Sequence, residues 1–143
     1  MHVMTEEERR AFLLAEPART GKLATTRKDG RPHVAPIWFD LDDDATIVFT
    51  TGAETLKGRS IRRDPRVSLC VDDERPPFSF VIVDGTVDLS EDLDDVLVWA
   101  TRIGGRYMGS AVAEAYGRRN AVPGELLVRL RPDHVVARAG IAD

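Results

Sequence analysis

The chain has 143 residues, the length of one ordinary domain, so we expect a single domain that spans residues 1–143. Apolar residues make up 43% and charged residues 31%, a globular composition that excludes a disordered or fibrous chain. The 20 basic and 24 acidic side chains leave a net charge of −4, so we expect no nucleic-acid partner.

Cysteine content and hydropathy exclude further classes of protein. Cys70 is the only cysteine, which rules out an internal disulfide and argues against cysteine-based zinc or iron–sulfur sites. No apolar run approaches the ~20 residues that cross a bilayer, so we expect no membrane partner. The chain opens with Thr5-Glu6-Glu7-Glu8 and not with a signal peptide, which predicts a cytoplasmic protein.

The first half of the chain predicts one helix followed by a meander of three antiparallel strands. Thr5, with Glu8 three residues later, forms a capping box, and the helix it starts stops at Glu16-Pro17. From Thr20 the apolar period changes to two, with His33, Ala35, Ile37, Phe39 and Leu41 on one face of the second strand. The pattern predicts strands within 20–26, 33–41 and 46–51, separated by turns at 28–31 and 42–44.

The second half predicts two more strands, two helices and a closing element. A short helix over 55–63 ends at Asp64-Pro65, and strands follow over 66–72 and 78–89. Ser90 is predicted to cap a helix that ends at Gly104-Gly105, with the apolar stripe Leu93, Val96, Leu97, Ala100 and Ile103. A second helical piece over 110–119 precedes a last strand or hairpin over 125–139. Sequential antiparallel strands with few helices favour a mainly β fold with peripheral helices, as a small closed barrel.

Known catalytic motifs are absent from the sequence. His2, His33 and His134 lack metal-ligand spacing, Cys70 has no neighbouring histidine, and neither a nucleophile elbow nor a phosphate-binding glycine loop occurs. We therefore expect no metal site and name no catalytic side chain. If the protein is an enzyme, an organic cofactor performs the chemistry.

A basic segment indicates an anion site. Five basic side chains lie within 57–66, after a strand that ends in Thr50-Thr51, on a chain that is acidic overall. Hydroxyls and amides at a strand end and a helix start could contact phosphate oxygens, while Lys57 and Arg59 balance the charge. The alternative is a solvated helix face with the arginines simply exposed.

These segments together resemble the pyridoxamine 5′-phosphate oxidase-like flavin-binding split-barrel superfamily. The resemblance covers roughly 20–89 and is carried by the hairpin Gly30-Arg31-Pro32-His33-Val34, by Thr50-Thr51 and by the segment 56–68. Within it, the chain is most similar to the actinobacterial branch of coenzyme F420-dependent oxidoreductases. The resemblance implies a six-stranded antiparallel split β-barrel that forms a homodimer, with cofactor sites between the subunits. A second apolar set, Val48, Phe80, Ile82 and Leu127, also suggests more apolar surface than one core absorbs.

The resemblance also assigns cofactor-binding residues. Val34, Ala35, Pro36, Ile37 and Trp38 would lie along the tricyclic ring, largely through backbone groups. Thr50 and Thr51 would contact the ribityl or phosphate end, and Lys57 and Arg59 the phosphate. Ser60 stands where relatives often have Asn. No counterpart of the family's pyridoxine-binding segment precedes Ile141-Ala142-Asp143, so we do not expect vitamin B6 chemistry.

The function implied is hydride transfer from reduced F420 to a small unsaturated organic acceptor. Arg62, Arg63 and Arg66 exceed what one phosphate needs, which favours polyanionic F420 over FMN. Two alternatives stay open: an FMN-binding oxidoreductase of the same fold, and a non-enzymatic protein that binds a flavin or tetrapyrrole. Tyr107 and Tyr116 could donate a proton, but a structural role is favoured for both, as is packing for Trp38 and Trp99.

Overall fold

The computed structural model describes residues 1–43 and 45–143, so Asp44 of the predicted 42–44 turn lies outside the described residues. Within them, eight strands form one antiparallel sheet: β1 (His2–Val3), β2 (Gly21–Thr26), β3 (Pro32–Ile37), β4 (Asp40–Leu41), β5 (Ile47–Gly52), β6 (Arg66–Asp73), β7 (Ser79–Ser90) and β8 (Glu125–Ala139). Four α-helices accompany the sheet: α1 (Glu6–Leu13), α2 (Leu56–Arg63), α3 (Leu93–Met108) and α4 (Ala113–Asn120). A 3-10 turn over Ser110–Val112 joins the last two.

The strand order turns the sheet into a split barrel. It runs β3-β2-β6-β7-β8-β5-β4, and β1 pairs with the end of β8 outside this path. The two ends of this path, β3 and β4, are consecutive in the chain and are separated only by Trp38 and Phe39. The predicted mainly β split barrel with peripheral helices is therefore confirmed. The count is eight strands where six were expected, a minor difference to which the two-residue strands β1 and β4 contribute.

The predicted single strand over 33–41 is wrong in its continuity. Burial alternates as expected, with Ile37, Phe39 and Leu41 buried, but the first part pairs with β2 and the last part with β5. The predicted meander of three neighbouring strands is wrong for the same reason. β5 pairs along its whole length with β8 and meets the preceding run only at β4.

The main core fills the inside of the barrel, and a smaller cluster lies outside it. Seven strands, β2 to β8, contribute inward-facing side chains to it, among them Leu23, Phe49, Leu69, Val81 and Leu130. The second cluster consists of Val48, Val96, Trp99 and Leu127, where α3 packs on the outer face of β5 and β8. The packing role predicted for Trp99 is thus confirmed.

Threonine side chains cap the starts of α1 and α2, and the cap at Thr5 was predicted. The Thr5 hydroxyl accepts a hydrogen bond from the Glu8 amide at 3.1 Å. The Thr55 hydroxyl accepts one from the Gly58 amide at 3.1 Å and donates to the Gly52 carbonyl at 2.8 Å. Because the second cap also binds the end of β5, it fixes the start of α2 relative to that strand.

The boundaries predicted for α3 are wrong at both ends. Asp92 caps the helix by accepting from the Asp94 amide at 2.9 Å, while the Ser90 hydroxyl binds the Asp92 amide. Gly104-Gly105 lies inside the helix, because α4 crosses there: a Cβ on Gly104 would lie only 2.5 Å from the Tyr116 Cβ. The buried face of α3 also differs from the predicted apolar stripe, because Trp99 is buried and Leu97 is 39% exposed.

The closing element is one strand and not a hairpin. β8 pairs with β7 over nearly its whole length, with Pro132 opposite Gly85 and His134 opposite Asp84. Asp133 is therefore an extra residue, so the chain forms a bulge in a continuous strand there and does not turn back as a hairpin would. None of the described helices is long and apolar enough to cross a membrane.

Candidate functional site

A cleft of about 390 Å³ lies where the end of β3, the adjacent ends of β5 and β8 and the first turn of α2 face α3. Its volume is in the range of small-molecule sites. The described residues that line it are Thr20, Pro36, Ile37, Trp38, Thr50, Thr51, Gly52, Lys57, Ala100, Ile103, Gly104, Asn120 and Glu125.

Six of the ten predicted cofactor-binding residues line this cleft: Pro36, Ile37, Trp38, Thr50, Thr51 and Lys57. The other four lie outside its lining. The Val34 side chain is 63% exposed, Ala35 is half-buried and Arg59 is exposed on α2. Ser60 is fully buried, and its hydroxyl has no hydrogen-bond partner in the described part of the chain. Contacts of these four with a cofactor stay predictions.

Aromatic rings border one end of the cleft. The Trp38 indole stacks on the Tyr107 ring with centroids 5.1 Å apart and planes 4° from parallel, and Tyr116 packs at 5.8 Å in a tilted arrangement. Trp38 keeps 37% of its surface exposed. It therefore packs, as predicted, and also forms part of the cleft wall.

The break between β3 and β4 beside Trp38 is held by the end of α3. The Tyr107 hydroxyl accepts from the Phe39 amide at 3.2 Å and donates to the Arg19 carbonyl at 2.8 Å. The Arg106 guanidinium donates to the carbonyls of Phe39 at 2.6 Å and Leu13 at 2.5 Å. Phe39 belongs to neither strand, so Arg106 and Tyr107 satisfy both of its backbone groups. We call these two side chains the Phe39 anchor.

The geometry of Tyr107 favours the structural role over proton donation. Burial raises the pKa of its phenol, so the group stays protonated at neutral pH. Its hydrogen is already donated to a backbone carbonyl, as the bond to Arg19 shows.

Lys57 and Thr50 form the polar end of the cleft. The half-buried ammonium of Lys57, in the first turn of α2, makes no hydrogen bond or ion pair with the residues that the structure describes, and neither does the Thr50 hydroxyl. The Thr51 hydroxyl is buried and shares a hydrogen bond of 3.2 Å with the Thr55 hydroxyl. Thr51 therefore supports the cap of α2, while Thr50 and Lys57 offer unpaired polar groups to a ligand.

The rest of the basic segment is engaged within the chain. Arg62 contacts Glu91, Arg63 donates to the Thr26 carbonyl at 2.9 Å, and Arg66 pairs with Asp64 at 2.9 Å. Hydrogen bonds from Arg66 lower the pKa of Asp64 to about 2. The five cations thus divide into three with partners and two, Lys57 and Arg59, without one among the described residues.

Glu125 is the functional candidate that the sequence pattern did not indicate. It is the first residue of β8 and pairs in register with Gly52, and a Cβ on that glycine would lie 3.7 Å from its Oε1. Burial raises the pKa of its carboxyl, and the positive charge of Lys57 acts in the opposite direction. Its carboxylate has no hydrogen-bond partner within residues 1–43 and 45–143.

Two other features carry less chemistry. A larger cavity of about 470 Å³ lies between α1 and the barrel, with an apolar floor that includes Leu13, Leu41 and Val81, and it contains none of the predicted residues. Among the described residues no cluster of His, Cys, Asp and Glu could hold a metal ion. Cys70 is half-buried, and burial raises the pKa of its thiol, which favours the unreactive protonated form.

An antiparallel split barrel with a cleft between its strand ends and an outer helix defines the flavin-binding split-barrel class. The chain belongs to the pyridoxamine 5′-phosphate oxidase family, whose model matches residues 5–138. The resemblance noted from the sequence is therefore confirmed.

Solved structures agree with this assignment. The conserved hypothetical protein Rv2991 from Mycobacterium tuberculosis is 26% identical, with a TM-score of 0.82 over 94% of this chain and 84% of that one. An F420 reductase is 27% identical, with a TM-score of 0.67 over 87% of this chain and 94% of that one. HutZ, the heme storage protein from Vibrio cholerae, shares the fold at 18% identity, with a TM-score of 0.73 over 98% of this chain and all of that one.

Proposed function

We propose that this protein is an oxidoreductase that uses reduced coenzyme F420 to reduce a small unsaturated organic acceptor. The observation that carries the proposal is the polarity of the cleft. Apolar and aromatic side chains border one end, and at the other stand Lys57 and Thr50, whose polar groups have no partner among the described residues. A flat ring joined to a phosphate has the same polarity. The 27% identity to an F420 reductase supports the choice of cofactor.

The residues present fit such a cofactor. Ile37, Trp38 and Ile103 would contact the ring, and their apolar side chains would exclude water from that end. Low polarity strengthens the attraction between Lys57 and a phosphate at the other end. The Thr50 hydroxyl can donate to a phosphate or ribityl oxygen. When bound, the reduced deazaflavin supplies hydride, and the protein contributes orientation and electrostatics.

The haem alternative is less well supported by this cleft. Haem iron needs an axial His, Cys, Met or Tyr ligand. None of the described lining residues is of these types, and the hydroxyl of Tyr107, whose ring stacks on Trp38, already binds backbone groups. FMN remains the second candidate, because its ring and phosphate match the same two ends of the cleft.

Side-by-side titration tests the choice of cofactor. We expect purified protein to bind F420 more tightly than FMN at matched ionic strength, measured by quenching of cofactor fluorescence. Arg59, which has no partner within residues 1–43 and 45–143, adds a cation for the polyanionic tail, whereas Arg62, Arg63 and Arg66 already have partners in the chain. Equal or tighter binding of FMN would favour the FMN enzyme. Binding of neither would overturn the cofactor assignment.

We also propose a homodimer whose subunits share the cofactor sites. Of the second apolar set, Val48 and Leu127 are buried under α3, but Phe80 and Ile82 stay half-exposed on the outer face of the sheet. Ile82 lies between Cys70 and Val136 in register, so these three side chains form an apolar patch across β6, β7 and β8. A second copy of the chain would bury this patch.

Light scattering at micromolar concentration is expected to give twice the mass of one chain. Ile82→Arg should give a monomer, because it places a charge in the middle of the patch, and Ile82→Val, which keeps the patch apolar, should stay dimeric. A monomeric native protein would contradict the shared-site proposal.

A further inference from the structure

We propose that Glu125 selects the charge state of the phosphate that the cleft accepts, disfavouring a dianionic phosphomonoester and admitting a singly charged phosphodiester. The inference rests on the proposed function, since it assumes that a flavin-type cofactor places its phosphate near Lys57. It goes further by naming the chemical class of phosphate and the residue that distinguishes it.

The placement of Glu125 carries this inference. Its carboxylate lies over Gly52, at the end of the strand that also presents Thr50, and it lines the same cleft as Lys57. The side chain is half-buried and has no hydrogen-bond partner in the part of the chain that the structure describes. A partially dehydrated carboxylate without a partner raises the free energy of the folded protein. We therefore explain its position in the same cleft as Lys57 by an effect on the ligand.

The charge balance of the cleft gives that account. Lys57 and Glu125 are the only charged side chains among the described lining residues, so together they contribute no net charge. A phosphodiester adds one negative charge, which Lys57 can balance at close range. A phosphomonoester adds about two at neutral pH, and the second stays uncompensated beside the carboxylate.

Burial makes the discrimination stronger than it would be on an open surface. Interactions between charges grow as water is excluded. Lys57 and Glu125 are both half-buried, and the residues of α3 that line the same cleft, Ala100, Ile103 and Gly104, are buried. The raised pKa of the Glu125 carboxyl reflects the same partial loss of water. A carboxylate in such surroundings repels a nearby dianion more than an exposed one does.

Glu125→Gln tests the inference, because it removes the charge while keeping nearly the same shape. Three probes are titrated by fluorescence at fixed pH and ionic strength: riboflavin, which has no phosphate, FMN, a phosphomonoester, and F420, a phosphodiester. We expect the variant to bind FMN about tenfold more tightly than the native protein does, because a like-charge contact is removed. Affinity for riboflavin should change less than about twofold, and F420 should gain less than FMN.

Glu54→Gln is the matched control. Glu54 is exposed just before α2, the helix that carries Lys57, but it does not line the cleft. Glu54→Gln therefore removes an equal negative charge from outside the cleft. It should leave the ratio of FMN to riboflavin affinity unchanged. Thermal unfolding of both variants confirms that each is folded.

The outcomes separate this inference from the proposed function. Equal gains for FMN and riboflavin, an equal gain for F420, or the same gain in Glu54→Gln would overturn charge selection by Glu125 while leaving cofactor binding intact. If the native protein and both variants bind none of the three probes, the proposed function fails and the inference fails with it.

Discussion

Lys57→Ala is expected to weaken cofactor binding by roughly ten- to a hundredfold, because a charge-assisted hydrogen bond to phosphate contributes ~1.5–3 kcal/mol. The ammonium has no partner within the described residues, so its removal breaks no hydrogen bond or ion pair of the protein there. The substitution should therefore affect mainly the affinity for the ligand. Stability should change by no more than about 0.5 kcal/mol, as for most polar substitutions away from the core. Fluorescence titration with F420 and urea denaturation measure the two effects separately.

Arg66→Ala is the control for this variant. Arg66 belongs to the same basic segment, but its side chain is 82% exposed, pairs with Asp64 and lies outside the cleft. Its loss should change affinity much less. If both variants weaken binding equally and added salt removes the difference, the segment acts as a diffuse positive field. If Lys57→Ala binds like the native protein, the cofactor does not occupy this cleft as proposed.

Arg106→Ala is expected to destabilise the fold by about 3 kcal/mol, the largest effect on stability that we expect from a single side chain outside the core. It leaves the carbonyls of Phe39 and Leu13 without their donor and removes the stacking of the guanidinium on the Phe39 ring at 4.8 Å. Each unsatisfied, partly buried carbonyl costs about 1–3 kcal/mol. The midpoint of urea denaturation measures the change.

Arg102→Ala, one helical turn earlier, provides the comparison. Arg102 is half-exposed, stacks on Trp99 at 4.1 Å and forms an ion pair with Asp40 at 3.7 Å, without a hydrogen bond to backbone among the described residues. Its loss should cost about 1 kcal/mol or less. Equal destabilisation by the two variants would mean that the Phe39 anchor contributes no more than ordinary surface packing.

Features that depend on neighbouring residues could be predicted from the sequence, whereas features that depend on distant pairing could not. The cap at Thr5 uses a hydroxyl and an amide three residues apart, so the local pattern is sufficient. The break at Trp38 and Phe39 leaves the alternation of buried residues intact, so periodicity gives no sign of it. Gly104-Gly105 resembles a helix end, but glycine is needed there because α4 crosses so closely that it leaves no room for a side chain on Gly104.

The candidate site follows the same division. Thr50 and Lys57 are close in sequence, and their residue types and spacing are sufficient to indicate an anion site. Glu125 enters the cleft only because β8 pairs with β5, which brings it opposite Gly52 from the far end of the chain. A charge beside Pro123-Gly124 looks like an ordinary strand start, so no local signal marks it as part of the site.

The closure of the barrel also bears on aggregation. β3 and β4 end the main path of the sheet, and an exposed strand edge is a template for pairing with another molecule. Pro32 and Pro36 reduce this risk on β3, because neither has an amide hydrogen to donate. The short β4 has no such protection, and its position depends on Phe39 being held in place. Loss of the Phe39 anchor would therefore expose a strand edge that can pair with other molecules. Substitutions of Arg106 or Tyr107 would then lower the yield of folded protein, even before ligand affinity is measured.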